Sequence, residues 1–73
     1  MASDICILLG WRIRELRMAK NWRQIDLAEQ ADINENYVSD LEIGKKEICL
    51  RMLQAVAGAF GMTVAELMRG VEK

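Results

Sequence analysis

Apolar residues recur three and four apart along almost the whole chain, and proline is absent. That spacing lines one face of a helix, and a chain without proline carries no obligatory helix breaker. The pattern predicts an all-helical protein of five helices. The first covers about 4–20, with Ser3 or Asp4 as N-cap and a stripe of Ile5, Leu9, Ile13 and Leu16. Gly10 lies inside it at a cost of about 1 kcal/mol relative to Ala, which points to close packing or a local irregularity. Asn21 ends it, and Trp22 is expected to pack under the turn that follows. The second helix covers about 24–30. The third covers about 35–43, with Asn34 as N-cap. The fourth covers about 50–60, with Leu53, Val56, Ala57 and Phe60 inward and Gly61 as its C-terminal glycine. The fifth covers 64–69 and ends at Gly70. Thr63 and Glu66 form a capping box at its start, each side chain accepting from the other residue's backbone N–H.

The run from Gln24 to Gly44 carries the most information. It reads as two short helices joined by a tight turn over Ala31–Asn34, with Ile33 as the turn's apolar plug. Val38 and Leu41 mark the inner face of the second of these helices, and Gly44 closes it. A short helix that follows a sharp turn and keeps a polar outer face is the form of a helix-turn-helix DNA reader.

Seventy-three residues predict one domain, residues 1–73, and 52% apolar residues suffice for one core near the lower size limit. Two cysteines and no histidine exclude a zinc site. Cys6 and Cys49 read as reduced thiols rather than as a disulfide, which leaves oligomerisation as the expected supplement to the core. No apolar run is long enough to span a bilayer or serve as a secretory signal, so a cytoplasmic protein is expected. There is no glycine-rich phosphate loop and no base beside either thiol. Catalysis, a cofactor, a metal and a small-molecule substrate are therefore not expected.

Net charge is −1, but its distribution is uneven. Residues 10–24 carry Arg12, Arg14, Arg17, Lys20 and Arg23 against Glu15, whereas 25–43 carry only acids. Lys45, Lys46 and Arg51 follow. Attraction to phosphate would have to come from the stretches that flank the acidic motif.

The segments GWRIRELR (10–17), Gln24 with LAEQADI (27–33), NYVSDLEIGKK (36–46) and LQAVAGAFGMTVAEL (53–67) together resemble the Cro/C1-type (XRE) helix-turn-helix family. The link GKKEICL is similar in style to that of the controller proteins of restriction–modification systems, which are short, stand-alone dimers. The resemblance implies an all-α, five-helix, lambda-repressor-like DNA-binding domain whose second and third helices form the helix-turn-helix. It implies that Gln24 hydrogen-bonds a phosphate, as the free N–H groups and positive dipole of a helix start would favour. Arg23 beside it adds charge or is a solvated turn residue. It stands where relatives often carry Ser or Thr, so the start of helix two is expected to lack a side-chain cap.

The third helix would enter the major groove N-terminus first, with Glu35, Asn36, Ser39 and Asp40 towards the bases and Asn34 among the DNA-binding residues at its start. Asn36 can pair with adenine, and Glu35 or Asp40 can accept from cytosine N4. Tyr37 reads either as a DNA contact or as a packing residue. Lys45 and Lys46 read as phosphate anchors or as solvated loop lysines. Asp40 and Ile43 stand where many relatives have amide or basic side chains, so weak non-specific binding is expected. The resemblance pairs Arg17 with Glu42 in a structural salt bridge. Cys49 stands where relatives often cap helix four.

Helices four and five carry surplus apolar surface, and Leu50, Met52, Phe60, Met62, Val64, Leu67 and Met68 are expected at a homodimer interface. The 5–9 run Ile-Cys-Ile-Leu-Leu offers a competing surface. A two-fold dimer would set two reading helices about 34 Å apart on near-palindromic double-stranded DNA. The leading reading is thus a sequence-specific transcriptional regulator. The alternative is a protein-interaction module on the same scaffold, favoured by the acidic third helix and an isoelectric point near 5.3.

Overall fold

The computed structural model describes residues 5–71 and is helical throughout. Its helices are α1 (Ile5–Ala19), α2 (Gln24–Ala31), α3 (Glu35–Glu42), α4 (Leu50–Ala59) and α5 (Val64–Leu67). The expected N-cap at Ser3 or Asp4 lies outside the described residues. The helices fall where the apolar spacing put them, with ends displaced by one or two residues. α5 shows the largest change: it stops at Leu67, and residues 68–71 form a turn that buries Val71. Nothing in the spacing had assigned Val71 to the core.

Two helix ends use the left-handed conformation without glycine. Asn21 (φ 58°) closes α1 and Asp32 (φ 59°) closes α2. Short polar side chains tolerate this region best after glycine. The geometry lets Trp22 N–H donate to Arg17 O and Ile33 N–H donate to Ala28 O. Both bonds satisfy carbonyls that a helix end otherwise leaves open. The chain therefore turns sharply at both points, which sets α2 and then α3 against α1.

Ile13, Leu27, Val38, Val56 and Leu67, one from each helix, are among the most deeply buried side chains. They form one core, sealed at one end by Trp22 stacked on Phe60 at 5.7 Å. Gly10 answers its own question. A Cβ there would lie 2.5 Å from Leu41 O and 2.6 Å from Glu42 O, so the glycine is a close approach of α1 to the end of α3. Gly44, at φ +76°, lies equally close to Ile7 of the same helix. α3 is held at its C-terminal end by two glycine contacts with α1.

The caps follow the sequence. Thr63 Oγ1 accepts from Glu66 N–H at 3.1 Å, and Glu66 Oε1 accepts from Thr63 N–H at 2.9 Å. Cys49, at the start of α4, has the extended backbone of an N-cap (φ −77°, ψ 161°) but makes no side-chain cap bond. Replacing its thiol by a hydroxyl needs no backbone change. Cys49→Ser is expected to raise stability by about 0.5–1 kcal/mol, because a hydroxyl satisfies one open N–H of α4. Urea unfolding checks this; an unchanged midpoint would mean that water already serves that end equally well.

Candidate nucleic-acid interface

α3 is eight residues long and sharply two-sided. Val38, Leu41 and Glu42 are buried, Glu35 and Asn36 are exposed, and Ser39 and Asp40 are half-buried on the outer side. The four outer residues form one polar face about two helical turns long. Ile43, exposed, stands at its far end. Asn34 caps the helix, its Oδ1 accepting from Asn36 N–H at 2.7 Å. The Asn34 carboxamide oxygen thereby makes the expected cap.

The buried Glu42 holds this face in place. It is 4% exposed and accepts three hydrogen bonds: from Arg17 Nε at 2.6 Å, Arg17 Nη2 at 3.1 Å and Gln24 Nε2 at 3.1 Å. Arg17 also donates to Trp22 O at 2.7 Å. One carboxylate thereby ties α1, α2, α3 and the α1–α2 turn together. Such a pair in a low-dielectric setting stands only when its remaining donors and acceptors are satisfied. No described buried side-chain N or O lacks a partner. The bond from Gln24 was not foreseen. It turns the Gln24 carboxamide inward, where the sequence pointed it at a phosphate. The backbone N–H groups that open α2 lie outside this network.

Arg23 does not cap α2, as expected, and Asp26 supplies the missing half. Asp26 Oδ2 accepts from Arg23 N–H at 2.7 Å, and the Arg23 guanidinium donates to both Asp26 oxygens at 3.0–3.2 Å. The hydrogen bond from the Arg23 side chain holds the Asp26 carboxyl below its ordinary value, and the same bond holds the guanidinium above its own. A depressed carboxyl supports the fold at every pH above its unfolded value of about 3.9. That support fades as pH falls through the lower folded value. Arg23 is exposed and Asp26 half-buried, and the effect is local to the helix start.

Tyr37 is half-buried, and its hydroxyl donates to Glu47 O at 3.2 Å. Burial holds the phenol above its ordinary value, so it stays a neutral donor at physiological pH. It reads as a tether between α3 and the link, the packing alternative of the two. Lys45 and Lys46 on that link are exposed. Lys46 Nζ lies 3.9 Å from Asp40 Oδ2, so the acidic outer face carries its own partial counter-charge.

Other basic residues are engaged elsewhere. Arg12 donates to Leu67 O and Glu66 O, both at 2.9 Å, and so closes the C-terminus of α5. A cation there suits the negative end of a helix. Arg17 is buried in the Glu42 network, and Lys20 lies over the Trp22 ring at 5.3 Å. Arg12 and Arg17 of the basic stretch 10–24 are thus structural, while Arg14, Lys20 and Arg23 remain exposed. No local sequence signal marks Arg12, because its partners lie 54 and 55 residues away.

The expected dimer surface also needs correction. Phe60 and Leu67 are 5% and 0% exposed, inside the protomer core, and cannot face a partner. Met62, Val64 and Met68 are half-buried against that core. Leu50, 76% exposed, stands out on α4, beside a shallow cleft lined by Cys49, Arg51, Gln54 and Val64.

These features define a helix-turn-helix domain whose second motif helix, α3, carries an outward polar face. The chain belongs to the helix-turn-helix family of Cro/C1 (XRE) type, whose pattern it matches over residues 13–67. It is 44% identical over 61 residues to the HTH-type transcriptional regulator DdrOP3 of Deinococcus deserti, covering 84% of this chain and 47% of that protein. It is 33% identical over 72 residues to the control protein C.MunI of Mycoplasma sp., covering 97% of both. The fold is similar to the crystal structure of the restriction–modification controller protein C.AhdI from Aeromonas hydrophila. There the TM-score is 0.82 at 32% identity, over 85% of this chain and 94% of that one. The chain thus spans about half of the Deinococcus protein and nearly all of the Mycoplasma one. No described helix is long and apolar enough to cross a membrane.

Proposed function

We propose that this chain is a sequence-specific, DNA-binding transcriptional regulator that acts in the cytoplasm as a homodimer. α3 is its reading helix on a near-palindromic duplex. One observation carries the reading: α3 presents Glu35, Asn36, Ser39 and Asp40 on one outward polar face, while Val38, Leu41 and Glu42 lock its other side into the scaffold. A reading helix needs that combination, since base contacts require side chains held in fixed register. The family membership and the relatives named as regulators and control proteins support it. The work of such a domain is binding rather than catalysis.

The charges shape how it binds. With Arg12 and Arg17 engaged internally, Lys45, Lys46 and the start of α2 beside the exposed Arg23 serve as the main phosphate contacts. Each neutralised phosphate contributes about −0.9 to the slope of log affinity against log salt. A dimer with two or three contacts per protomer would show a slope of about −4 to −5. Non-specific affinity is correspondingly weak, and base recognition by Asn36 and the flanking carboxylates decides the site.

Selection from a randomised duplex library tests this reading. The expected product is a two-fold consensus with half-sites about one helical turn apart. Asn36→Ala is expected to relax one position in each half-site at about 1–3 kcal/mol, whereas Lys45→Ala weakens all duplexes alike. A library that shows no enrichment would leave the face as a protein-binding surface.

A further inference from the structure

The link between α3 and α4 is tied to α3 at two points. Lys45 N–H donates to the Asp40 carbonyl at 2.9 Å, and the Tyr37 hydroxyl donates to Glu47 O at 3.2 Å. Lys46 lies between these anchors, so its backbone is held against the helix. Tyr37 and Asp40 stand one turn apart on the side of α3 that meets the link. There the Lys46 ammonium lies 3.9 Å from Asp40 Oδ2. Its neighbour Lys45 is exposed and joins none of the ion pairs among the described residues. Two adjacent lysines thus differ in one respect. The charge of Lys45 is open to any partner, whereas that of Lys46 rests on a carboxylate of the outer polar face. Lys46 and Asp40 both reach solvent, with side chains 51% and 26% exposed. An ion pair of this kind is weak, so a better partner for either group displaces it.

We infer that Asp40 and Lys46 form an exchange pair: the ammonium passes from Asp40 to a DNA phosphate only where a base takes its place on the carboxylate. The inference rests on the reading of α3 proposed above. A duplex docked on α3 removes water from Asp40. A carboxylate desolvated without a donor loses far more than a surface ion pair gains. On a sequence that offers no donor at that position, Lys46 therefore stays on Asp40 and adds nothing to phosphate binding. Where cytosine presents its N4 amine, that amine donates to the carboxylate and Lys46 is released to the backbone. One base is thereby read twice, through its own hydrogen bond and through the phosphate contact that it releases. Lys45 carries no such lock and contacts phosphate on every sequence. Lys46 is thus a specificity-determining residue although it touches no base. The exchange also suppresses non-specific binding, since each protomer withholds one cation until the correct base is met.

Salt series on the full chain, with a library-selected duplex and with its scrambled counterpart from low salt upwards, test the exchange. Lys46→Gln is expected to make the slope for the selected duplex shallower by about 0.9 per protomer, about 1.8 per dimer. It should leave the slope for the scrambled duplex unchanged. Lys45→Gln is expected to flatten both slopes alike. Asp40→Asn frees Lys46 on every sequence, so it should steepen the scrambled slope by the same amount, about 1.8 per dimer. Lys46→Gln on that background should reverse the gain. The double variant still lacks the acid, so it separates the release of Lys46 from the mere loss of a negative charge. A Lys46→Gln protein that flattens both slopes alike, or neither, overturns the exchange, while selective binding by the wild type keeps the reading of α3. A wild type that binds both duplexes equally, or neither, overturns that reading and the exchange with it.

Discussion

Glu42→Ala is expected to cost about 3–5 kcal/mol, the range for breaking one partner out of a buried pair. The substitution leaves the Arg17 guanidinium beside α3 with only the Trp22 carbonyl of its three bonds, and frees Gln24 as well. In a domain of this size each kcal/mol moves the melting point by about 4–8 °C, so a drop of well over ten degrees follows. Two controls separate charge from shape. Glu42→Gln keeps the volume and one acceptor, and should lose less. Replacing both partners with apolar residues, Arg17→Met with Glu42→Leu, should recover much of the loss, because no uncompensated charge then remains. Thermal unfolding followed by circular dichroism reads all three. A Glu42→Ala protein that melts with the wild type would remove the carboxylate from its central place.

Gly10→Val is the second large effect. The obstacles to a side chain there are the Leu41 and Glu42 carbonyls, which are backbone and cannot rotate away. Overpacking ordinarily costs about 1–3 kcal/mol, and a fixed obstacle places this site at the upper end or beyond. Gly10→Ala should cost less, because alanine regains about 1 kcal/mol of helix propensity. Either change pushes α1 off the end of α3, so the loss of stability should come with a shift of α3. Denaturant unfolding and amide chemical shifts of residues 35–42 measure the two parts separately. A neutral or stabilising Gly10→Ala would show that the helices do not approach this closely.

Much of this was legible because it is local. The apolar spacing located all five helices, and the Thr63–Glu66 and Asn34 caps are short-range patterns with one structural meaning. The Arg17–Glu42 pair came only through family resemblance, since no periodicity links residues 25 apart. What escaped is non-local in the same way. Arg12 closing α5, Gln24 turned to Glu42 and Tyr37 tethered to Glu47 all depend on which helix ends meet in space. Leu67 was misplaced at the dimer surface for a related reason, and Phe60 was read both there and, correctly, inward on α4. A surplus of apolar residues on two helices does not say which belong to the core. On α1 the expected stripe holds for Leu9 and Ile13, whereas Ile5 is 47% exposed.

On the proposed reading, α3 reads DNA by its side chains with little help from bulk charge. Fluorescence anisotropy with a selected duplex and its scrambled counterpart, across a salt series, tests it most directly. The account predicts tight binding to the selected duplex alone, two protomers per site, and a salt slope near −4 to −5. Equal affinity for both duplexes, or no binding to either at low salt, would contradict it.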